Sequence, residues 1–357
     1  MLTSSFCVAE ISAAQNDSTR YAIEVKYHQG IVVPHHTSMT YLINDYARGG
    51  EINLIRQRHK AGLWESYLNR PETGIGFWFS SFGRPDIYGE GFAIYPFINF
   101  RLFQLGKLNA KYKVALGLGY ANKPFKVGEN TYNTVFGSHL NAYVGFGLRL
   151  DYPLTERLVL SGNFSLNHLS NGSARKPNNG INTATLALGA TYDLVPYKEP
   201  EYKRARPEAS KAREWIASVS AGRNQAAAYN PTIYWSGSIT ASHLWYKTEV
   251  KAYGIGLDLI KFGGAPLASK NFQDIDEHRD YSFSDDLYAG VFGMMESHLG
   301  STALYLAKTE PRQPVYARLG VRQKIAANIF GHFGIKANFF TAEFIEFGLG
   351  YRWRYKQ

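Results

Sequence analysis

The sequence lacks any long uninterrupted apolar run, and this absence restricts the kinds of membrane protein it can encode. A membrane-spanning helix needs about 18 or more consecutive apolar residues, and no such run occurs in these 357 residues. Helical membrane proteins are therefore excluded. A transmembrane β-barrel stays possible, because its strands alternate between lipid and lumen and average to a modest hydropathy.

Cysteine and clustered positive charge are scarce as well. Cys7 is the single cysteine, which excludes an intrachain disulfide framework and a cysteine metal cluster. The net charge of +10 suits a nucleic-acid binder or a protein at an anionic membrane surface. Lys and Arg are spread along the chain, without a basic helix. We therefore expect no nucleic-acid partner and interpret the charge as solubility and lumen charge, with attraction to anionic head groups as the alternative.

The first residues, MLTSSFCVAEISAAQ, are similar to the end of a secretory signal whose basic start is missing. Ser12-Ala13-Ala14 supplies the small residues that a signal peptidase accepts, but Glu10 is unusual there. We expect residues 1–20 to be a signal-peptide remnant or a disordered N-terminus.

Alternation with period two recurs along most of the chain. In the segment from Ile345 to Tyr355 the odd-numbered positions are apolar and the even-numbered ones are charged or glycine. The first set is Ile345, Phe347, Leu349, Tyr351, Trp353 and Tyr355, and the second is Glu346, Gly348, Gly350, Arg352 and Arg354. Strands of about ten residues with aromatic ends match the spanning length of a tilted β-strand. An open sheet edge cannot be satisfied in lipid, so the sheet must close. The pattern predicts an all-β, up-and-down, antiparallel transmembrane barrel of the outer membrane.

About sixteen strands (fourteen to sixteen) are predicted, eight on each side of a charged, Pro-containing stretch at 196–212. An even number places both termini in the periplasm, so this stretch is expected to be a long periplasmic connection. We favour one barrel built from residues 21–195 and 213–357. Two successive eight-stranded barrels are the alternative.

Loop lengths agree with that orientation. The turn Pro153 to Arg157 is short, as periplasmic turns are. The longer loops Lys126 to Asn141, Gly172 to Gly180 and Ala265 to Tyr281 then lie outside the cell. Pro34 to Met39 is expected on the same side. Its His35-His36 pair is a weak candidate metal site, and we expect no metal or other cofactor.

Polar side chains interrupt the apolar row of one strand at its outer end. Leu158, Leu160, Gly162, Phe164 and Leu166 are followed on the same face by His168 and Ser170, because residues two apart share a face. Asn182 ends the apolar row of the returning strand, so it is expected beside His168 or Ser170.

These residue types suit ester hydrolysis. Serine becomes a nucleophile when an imidazole takes its proton, and a third group, here Asn182, orients the imidazole. The backbone amides of Asn171 and Gly172, or the Asn171 side chain, are candidates for stabilising an oxyanion. A polar strand end that binds head groups and water is the alternative interpretation.

The motif His168-Leu169-Ser170-Asn171-Gly172, followed by Pro177 to Asn182 (PNNGIN), resembles the outer-membrane lipid A 3-O-deacylases of the PagL type. It is also similar to the related barrels described as acyloxyacyl hydrolases. Weaker similarities to the second group lie at Pro34-His35-His36, at Gly62-Leu63-Trp64, and from Asn133 to Asn141. The resemblance covers about residues 20–195, the N-terminal half.

The resemblance implies an esterase that removes the acyl chain at position 3 of lipid A in the outer leaflet, without a metal. It implies His168 as the base, Ser170 as the nucleophile and Asn171 as part of the oxyanion site. Arg175 and Lys176 are candidates for holding the substrate's phosphates, and Asn141 is a further candidate binding residue.

The chain departs from this family at the third catalytic position. The family carries a glutamate where this sequence has Asn182, and no Asp or Glu occurs between Leu158 and Tyr192. Asn182 accepts the imidazole N–H but supplies no charge for imidazolium. A carboxylate from another loop, such as Glu129, is an alternative partner.

The second half, residues 213–357, shows no comparable motif. Its acidic clusters at Asp274 to Glu277 and Asp285-Asp286 are interpreted as solvated loops, with divalent cations bridging lipopolysaccharide as the alternative. Two other functions stay open: a non-catalytic assembly, secretion-accessory or structural barrel with a relict site, and a pore or transporter. The oligomeric state is left open.

Overall fold

The computed structural model describes residues 19–58, 62–196, 208–228, 230–264, 286–309, 316–338 and 341–356. These residues form sixteen strands and two short helices, α1 at Thr37–Leu42 and α2 at Leu63–Tyr67. The strands are β1 Thr19–Val32, β2 Ala47–Arg58, β3 Glu72–Ser81, β4 Glu90–Leu105, β5 Leu108–Ala121, β6 Leu140–Pro153, β7 Leu158–Ser170, β8 Ile181–Asp193, β9 Ala212–Ala227, β10 Asn230–Thr248, β11 Lys251–Lys261, β12 Leu287–Leu299, β13 Thr302–Thr309, β14 Tyr316–Lys324, β15 Ile329–Asn338 and β16 Thr341–Lys356. Neither helix is long and apolar enough to cross a membrane.

The strands carry their apolar side chains outward, as the alternation predicts. Along β7, Phe164 and Leu166 are exposed, whereas Asn163, Ser165 and Asn167 between them are buried. Successive side chains of a strand point to opposite faces. The apolar face is therefore the outside of the barrel, where lipid supplies the apolar surroundings.

The sixteen antiparallel strands are confirmed, but they close into two barrels of eight. β1 pairs with β8 over the register from Ala22↔Asp193 to Val32↔Thr183, and β9 pairs with β16. The single large barrel that we favoured is thereby corrected to the alternative of two successive barrels. Strands β1–β8 and strands β9–β16 are each a closed unit.

The side chains inside the first barrel give the physical reason. An eight-stranded barrel has an interior just wide enough to be filled by side chains, whereas a sixteen-stranded barrel encloses an aqueous channel. Trp78, Tyr95 and Tyr143 point inward and are buried, and the rings of Tyr95 and Tyr143 stack with centroids 4.6 Å apart. These aromatic side chains fill the narrow lumen of an eight-stranded barrel, whereas in the wide lumen of a sixteen-stranded barrel they would be exposed to water.

Each barrel also pairs its own interior charges. In the first barrel, Arg20 donates to Glu72 at 2.7 Å and to Asp193 at 2.6 Å, which links β1 to β3 and β8. In the second, Arg318 lies 2.9 Å from Glu346 and also contacts an aspartate of β11. Buried charges need such partners, because burial without them is costly. The ion pairs therefore specify two separate interiors.

The two barrels lie side by side. Trp64 of α2 approaches the β12–β13 turn, where a Cβ on Gly300 would lie 3.4 Å from the indole nitrogen. An apolar cleft between the barrels is lined by Trp64, Ile98, Val114, Leu116, Leu299 and Val321. The second barrel is thus a neighbour of the β4–β5 wall of the first.

The long loops that follow β5 and β7 lie on one side of the first barrel, and the short turn at 154–157 lies on the other. We call these the loop side and the turn side. Residues 1–18, 197–207 and 265–285 lie outside the described residues. The expectations for the N-terminus, for most of the 196–212 connection and for Asp274 to Glu277 fall there.

Candidate active site

Strand register brings the three predicted catalytic side chains together at the loop side of the first barrel. His168 on β7 is directly opposite Asn182 on β8, and Ser170 lies two residues further along β7 on the same face. On the other side, Val144 of β6 is the residue opposite His168. The outward row of β7 therefore changes from apolar to polar at His168, as predicted.

The three side chains form a continuous line of hydrogen bonds. His168 Nε2 lies 3.0 Å from Ser170 Oγ, and His168 Nδ1 lies 2.7 Å from Asn182 Oδ1. This is the order nucleophile, base and orienting group that activates a serine. With a proton on Nδ1, Nε2 is free to accept the serine proton.

A fourth group extends this line, and sequence reasoning did not assign it to the site. Asn182 Nδ2 donates to His35 Nδ1 at 3.2 Å, and His35 Nε2 donates to the carbonyl of Asn179 at 2.7 Å. Both ring nitrogens of His35 are therefore used within the site. This arrangement disfavours the metal interpretation of the His35-His36 pair.

The loop after β7 covers the nucleophile. Ser170 is 7% exposed, although it lies on the outward row. Gly180 packs over the imidazole: a Cβ at this position would lie 2.8 Å from His168 Cε1 and 3.1 Å from Ser170 Cβ. Gly180 also has a φ of +71°, which favours glycine. The site therefore needs glycine here for both space and conformation.

Asn171 holds the turn that follows Ser170. Its backbone N–H donates to Asn178 Oδ1 at 2.9 Å, and its side-chain Nδ2 donates to Ser138 Oγ and to the Arg175 carbonyl, both at 2.9 Å. Gly172 follows with a φ of +59°. The donors of Asn171 are thus engaged within the loops, and Gly172 is the next backbone N–H along the turn.

The other predicted site residues lie in different surroundings. Asn141 is buried, and its Nδ2 donates to the carbonyls of Ser138 and His139, so it stabilises the loop before β6. Arg175 is exposed at the loop, and Lys176 Nζ donates to Ser173 Oγ at 3.1 Å. The structure does not bring Asn141 to the outward face of His168.

Glu129 does not replace the missing carboxylate in this structure. Its side chain is 66% exposed and pairs with Lys126 at 2.6 Å. His168 Nδ1 is occupied by Asn182. The orienting group of the site is therefore the amide.

The second barrel contacts the turn behind the nucleophile. Gln225 at the end of β9 donates its backbone N–H to the Ser173 carbonyl at 2.8 Å, and its Oε1 accepts the Lys176 N–H at 2.8 Å. A Cβ on Gly172 would lie 2.4 Å from Ile345 Cγ1 of β16. The turn is thus held between the barrels.

One group of three possible metal ligands occurs among the described residues, namely Glu214, Glu296 and His298 inside the second barrel. Glu296 is already paired with Arg322 and with Arg352, the latter at 3.0 Å. Guanidinium groups neutralise this carboxylate, so the cluster is an ion-pair network.

Each of the two barrels is matched by a protein-family model. The family model described as lipid A 3-O-deacylase (PagL) matches residues 55–191, and the model described as acyloxyacyl hydrolase, C-terminal domain, matches residues 213–355. The chain belongs to the PagL lipid A 3-O-deacylase family. Its members are ester hydrolases of the bacterial outer membrane, which assigns this chain to that enzyme class and location. The family extends over the second half as well, so its restriction to the N-terminal half was wrong.

Several solved structures match the chain at low sequence identity. The outer membrane enzyme PagL is 16% identical, with a TM-score of 0.31, and covers 46% of this chain and 97% of its own. Neisserial surface protein A is 10% identical, with a TM-score of 0.33, and covers 48% and 96%. A porin of Rhodopseudomonas blastica is 7% identical, with a TM-score of 0.18, and covers 94% and 100%. None of the curated proteins matches the chain.

Proposed function

We propose that this protein removes the ester-linked acyl chain at position 3 of lipid A by a serine mechanism at the outer face of its first barrel. The observation that carries the proposal is the line of hydrogen bonds from Ser170 Oγ through His168 to Asn182. The family description supports the substrate. The position of the site supports it too, since the site lies at the loop end of an apolar outer face.

In this mechanism Ser170 Oγ attacks the ester carbonyl carbon while His168 Nε2 takes the hydroxyl proton. The carbonyl oxygen becomes an oxyanion, and a preorganised backbone N–H that stabilises it contributes about 10²–10³ in rate. We assign this role to Gly172, because the donors of Asn171 are engaged in the loop.

The tetrahedral intermediate collapses by breaking the bond to the sugar oxygen, which takes the proton from His168. The acyl chain is then an ester of Ser170. Water attacks this ester, His168 accepts one of its protons and returns it to Ser170 Oγ, and the free hydroxy fatty acid leaves. Every step uses His168 as a proton carrier between neutral and protonated forms.

Asn182 sets the rate that this site reaches. As an amide it orients neutral imidazole through the 2.7 Å hydrogen bond. It adds no negative charge to stabilise the imidazolium that forms when His168 takes the serine proton. We therefore expect a slower deacylase than a family member with glutamate at this position.

The test is mass spectrometry of lipid A from cells that produce the wild type, Ser170→Ala or Asn182→Glu at equal levels of folded barrel. The proposal predicts that lipid A loses one hydroxyacyl chain with the wild type and stays intact with Ser170→Ala. With Asn182→Glu, a larger fraction of the lipid A molecules is expected to lose that chain. Identical spectra for all three would exclude it.

A further inference from the structure

The position of His35 follows from how the first barrel closes. β1 pairs with β8, and the pairing continues one step beyond the strand, where the Val33 N–H donates to the Asn182 carbonyl at 2.8 Å. This contact brings the segment after β1 to the loop end of β8. His35 then lies beside the Asn182 side chain, 147 residues away in sequence. Its ring centroid is 4.8 Å from that of His36, with the two rings tilted by 55°.

The hydrogen bonds around His35 fix the proton positions through the whole line. The Asn179 carbonyl only accepts, so His35 Nε2 carries the proton of the neutral ring. His35 Nδ1 is then an acceptor, and it receives a proton from the Asn182 NH₂ group. The Asn182 oxygen therefore faces His168, whose Nδ1 carries the proton.

This order matters because an amide, unlike a carboxylate, has two different ends. If the Asn182 side chain turned over, its NH₂ group would face His168 Nδ1. His168 would then carry its proton on Nε2, pointing at Ser170, and could not accept the hydroxyl proton. A carboxylate presents an acceptor in either orientation and needs no such control.

We propose that His35 is a positioning residue that holds the Asn182 amide with its oxygen toward His168 and so selects the catalytic tautomer. The proposal rests on the proposed function of the same site. Position 182 carries an asymmetric amide in place of a symmetric carboxylate. His35 is the neighbouring residue that sets the orientation of this amide.

The kinetic test compares His35→Ala in two backgrounds, with Asn182 and with Asn182→Glu, in purified full-length protein acting on lipid A. We expect His35→Ala to lower kcat about tenfold or more with KM unchanged, within the about 10⁴-fold limit of a complete tautomer error. In the Asn182→Glu background the same change is expected to alter kcat by less than about threefold, because the carboxylate needs no orienting partner. His243→Ala, a histidine of the second barrel that hydrogen-bonds to Tyr355 and not to this site, is the matched control and leaves kcat unchanged in both backgrounds.

Equal losses from His35→Ala in both backgrounds would show a general structural role and overturn the proposal, and so would an unchanged kcat with Asn182 in place. ¹⁵N NMR of the His168 ring supplies a readout that needs no turnover. The wild type is expected to show protonated Nδ1, and His35→Ala a mixture of both tautomers. A pure Nδ1–H form in His35→Ala would overturn the proposal. If His35→Ala shows the mixture of tautomers but the wild type has no deacylase activity, only the proposed function is refuted.

Discussion

Replacing Gly180 by alanine should slow catalysis strongly by displacing the imidazole of His168. The added Cβ would lie 2.8 Å from His168 Cε1 and 3.1 Å from the Leu169 carbonyl oxygen. Ordinary contact requires several tenths of an ångström more, so the ring or the backbone must move. The ring is held at 2.7 and 3.0 Å on its two nitrogens, and hydrogen bonds to nitrogen weaken beyond about 3.2 Å. A shift of this size therefore breaks one of them.

The expected loss is large in kcat and modest in stability. A misplacement of about 1 Å costs about 10²-fold in rate. The left-handed backbone at φ +71° adds about 1–2 kcal/mol of strain for a residue with a Cβ. Gly106 offers the matched control, because it has a φ of +58° and a Cβ there would meet nothing within 4 Å. Gly106→Ala should lose only the unfolding free energy that corresponds to the backbone strain, and it should keep full activity.

The assay is the rate of fatty acid release from lipid A by purified protein, with urea unfolding as the measure of stability. Gly180→Ala should lose at least as much unfolding free energy as Gly106→Ala, because the clash adds to the strain, and only Gly180→Ala should lose kcat. If Gly180→Ala folds and keeps kcat within about threefold of the wild type, far above the loss expected for a misplaced catalytic group, the assigned role of the His168 position is refuted.

Three further predictions follow from the same structure. Gln225→Ala removes the acceptor for the Lys176 N–H and should lower kcat/KM about fivefold, the equivalent of about 1 kcal/mol for one hydrogen bond; unchanged kinetics would contradict a role of the second barrel in holding the turn. Arg149→Ala leaves the buried Glu24 carboxylate without this partner and should lower the free energy of unfolding in urea by about 3–5 kcal/mol, while Arg48→Ala, at an exposed pair, should change it far less. Because the serine mechanism uses no metal, EDTA should leave the rate of fatty acid release unchanged, and inhibition that added metal reverses would contradict the mechanism.

Local alternation was sufficient to predict the strands and the outward side of His168 and Ser170. Side-chain direction in a strand has a period of two, so it can be read from neighbouring residues. The pairing of His168 with Asn182 was also within reach, because β7 and β8 are consecutive strands joined by one loop. These parts of the site depend on short stretches of chain.

Barrel closure and its consequences were out of reach of that reasoning. Whether β8 returns to β1 or continues to β9 depends on the volume of inward side chains such as Trp78 and Tyr143, and on ion pairs such as Arg20 with Asp193. Both involve strands far apart in sequence. His35 was missed for the same reason, since closure of β1 on β8 is what brings it to Asn182.

The loop contacts were the least predictable part. Asn171 and Gly172 were predicted as oxyanion donors, but nothing in the sequence indicated that the donors of Asn171 bond to Asn178, Ser138 and the Arg175 carbonyl. Irregular segments have no periodicity from which a partner can be inferred. The contact of Gln225 with this turn depends in addition on how two closed barrels lie against each other.

The central claim is that Ser170 and His168 act as one unit, and a kinetic cycle on purified protein tests it most directly. The rates of fatty acid release from lipid A are measured for the wild type, Ser170→Ala, His168→Ala and the double variant. If the serine is activated by the imidazole, each single variant loses about as much as the double variant, since residues that act as a unit are not additive. Retained activity in Ser170→Ala, or losses that multiply in the double variant, would contradict the account.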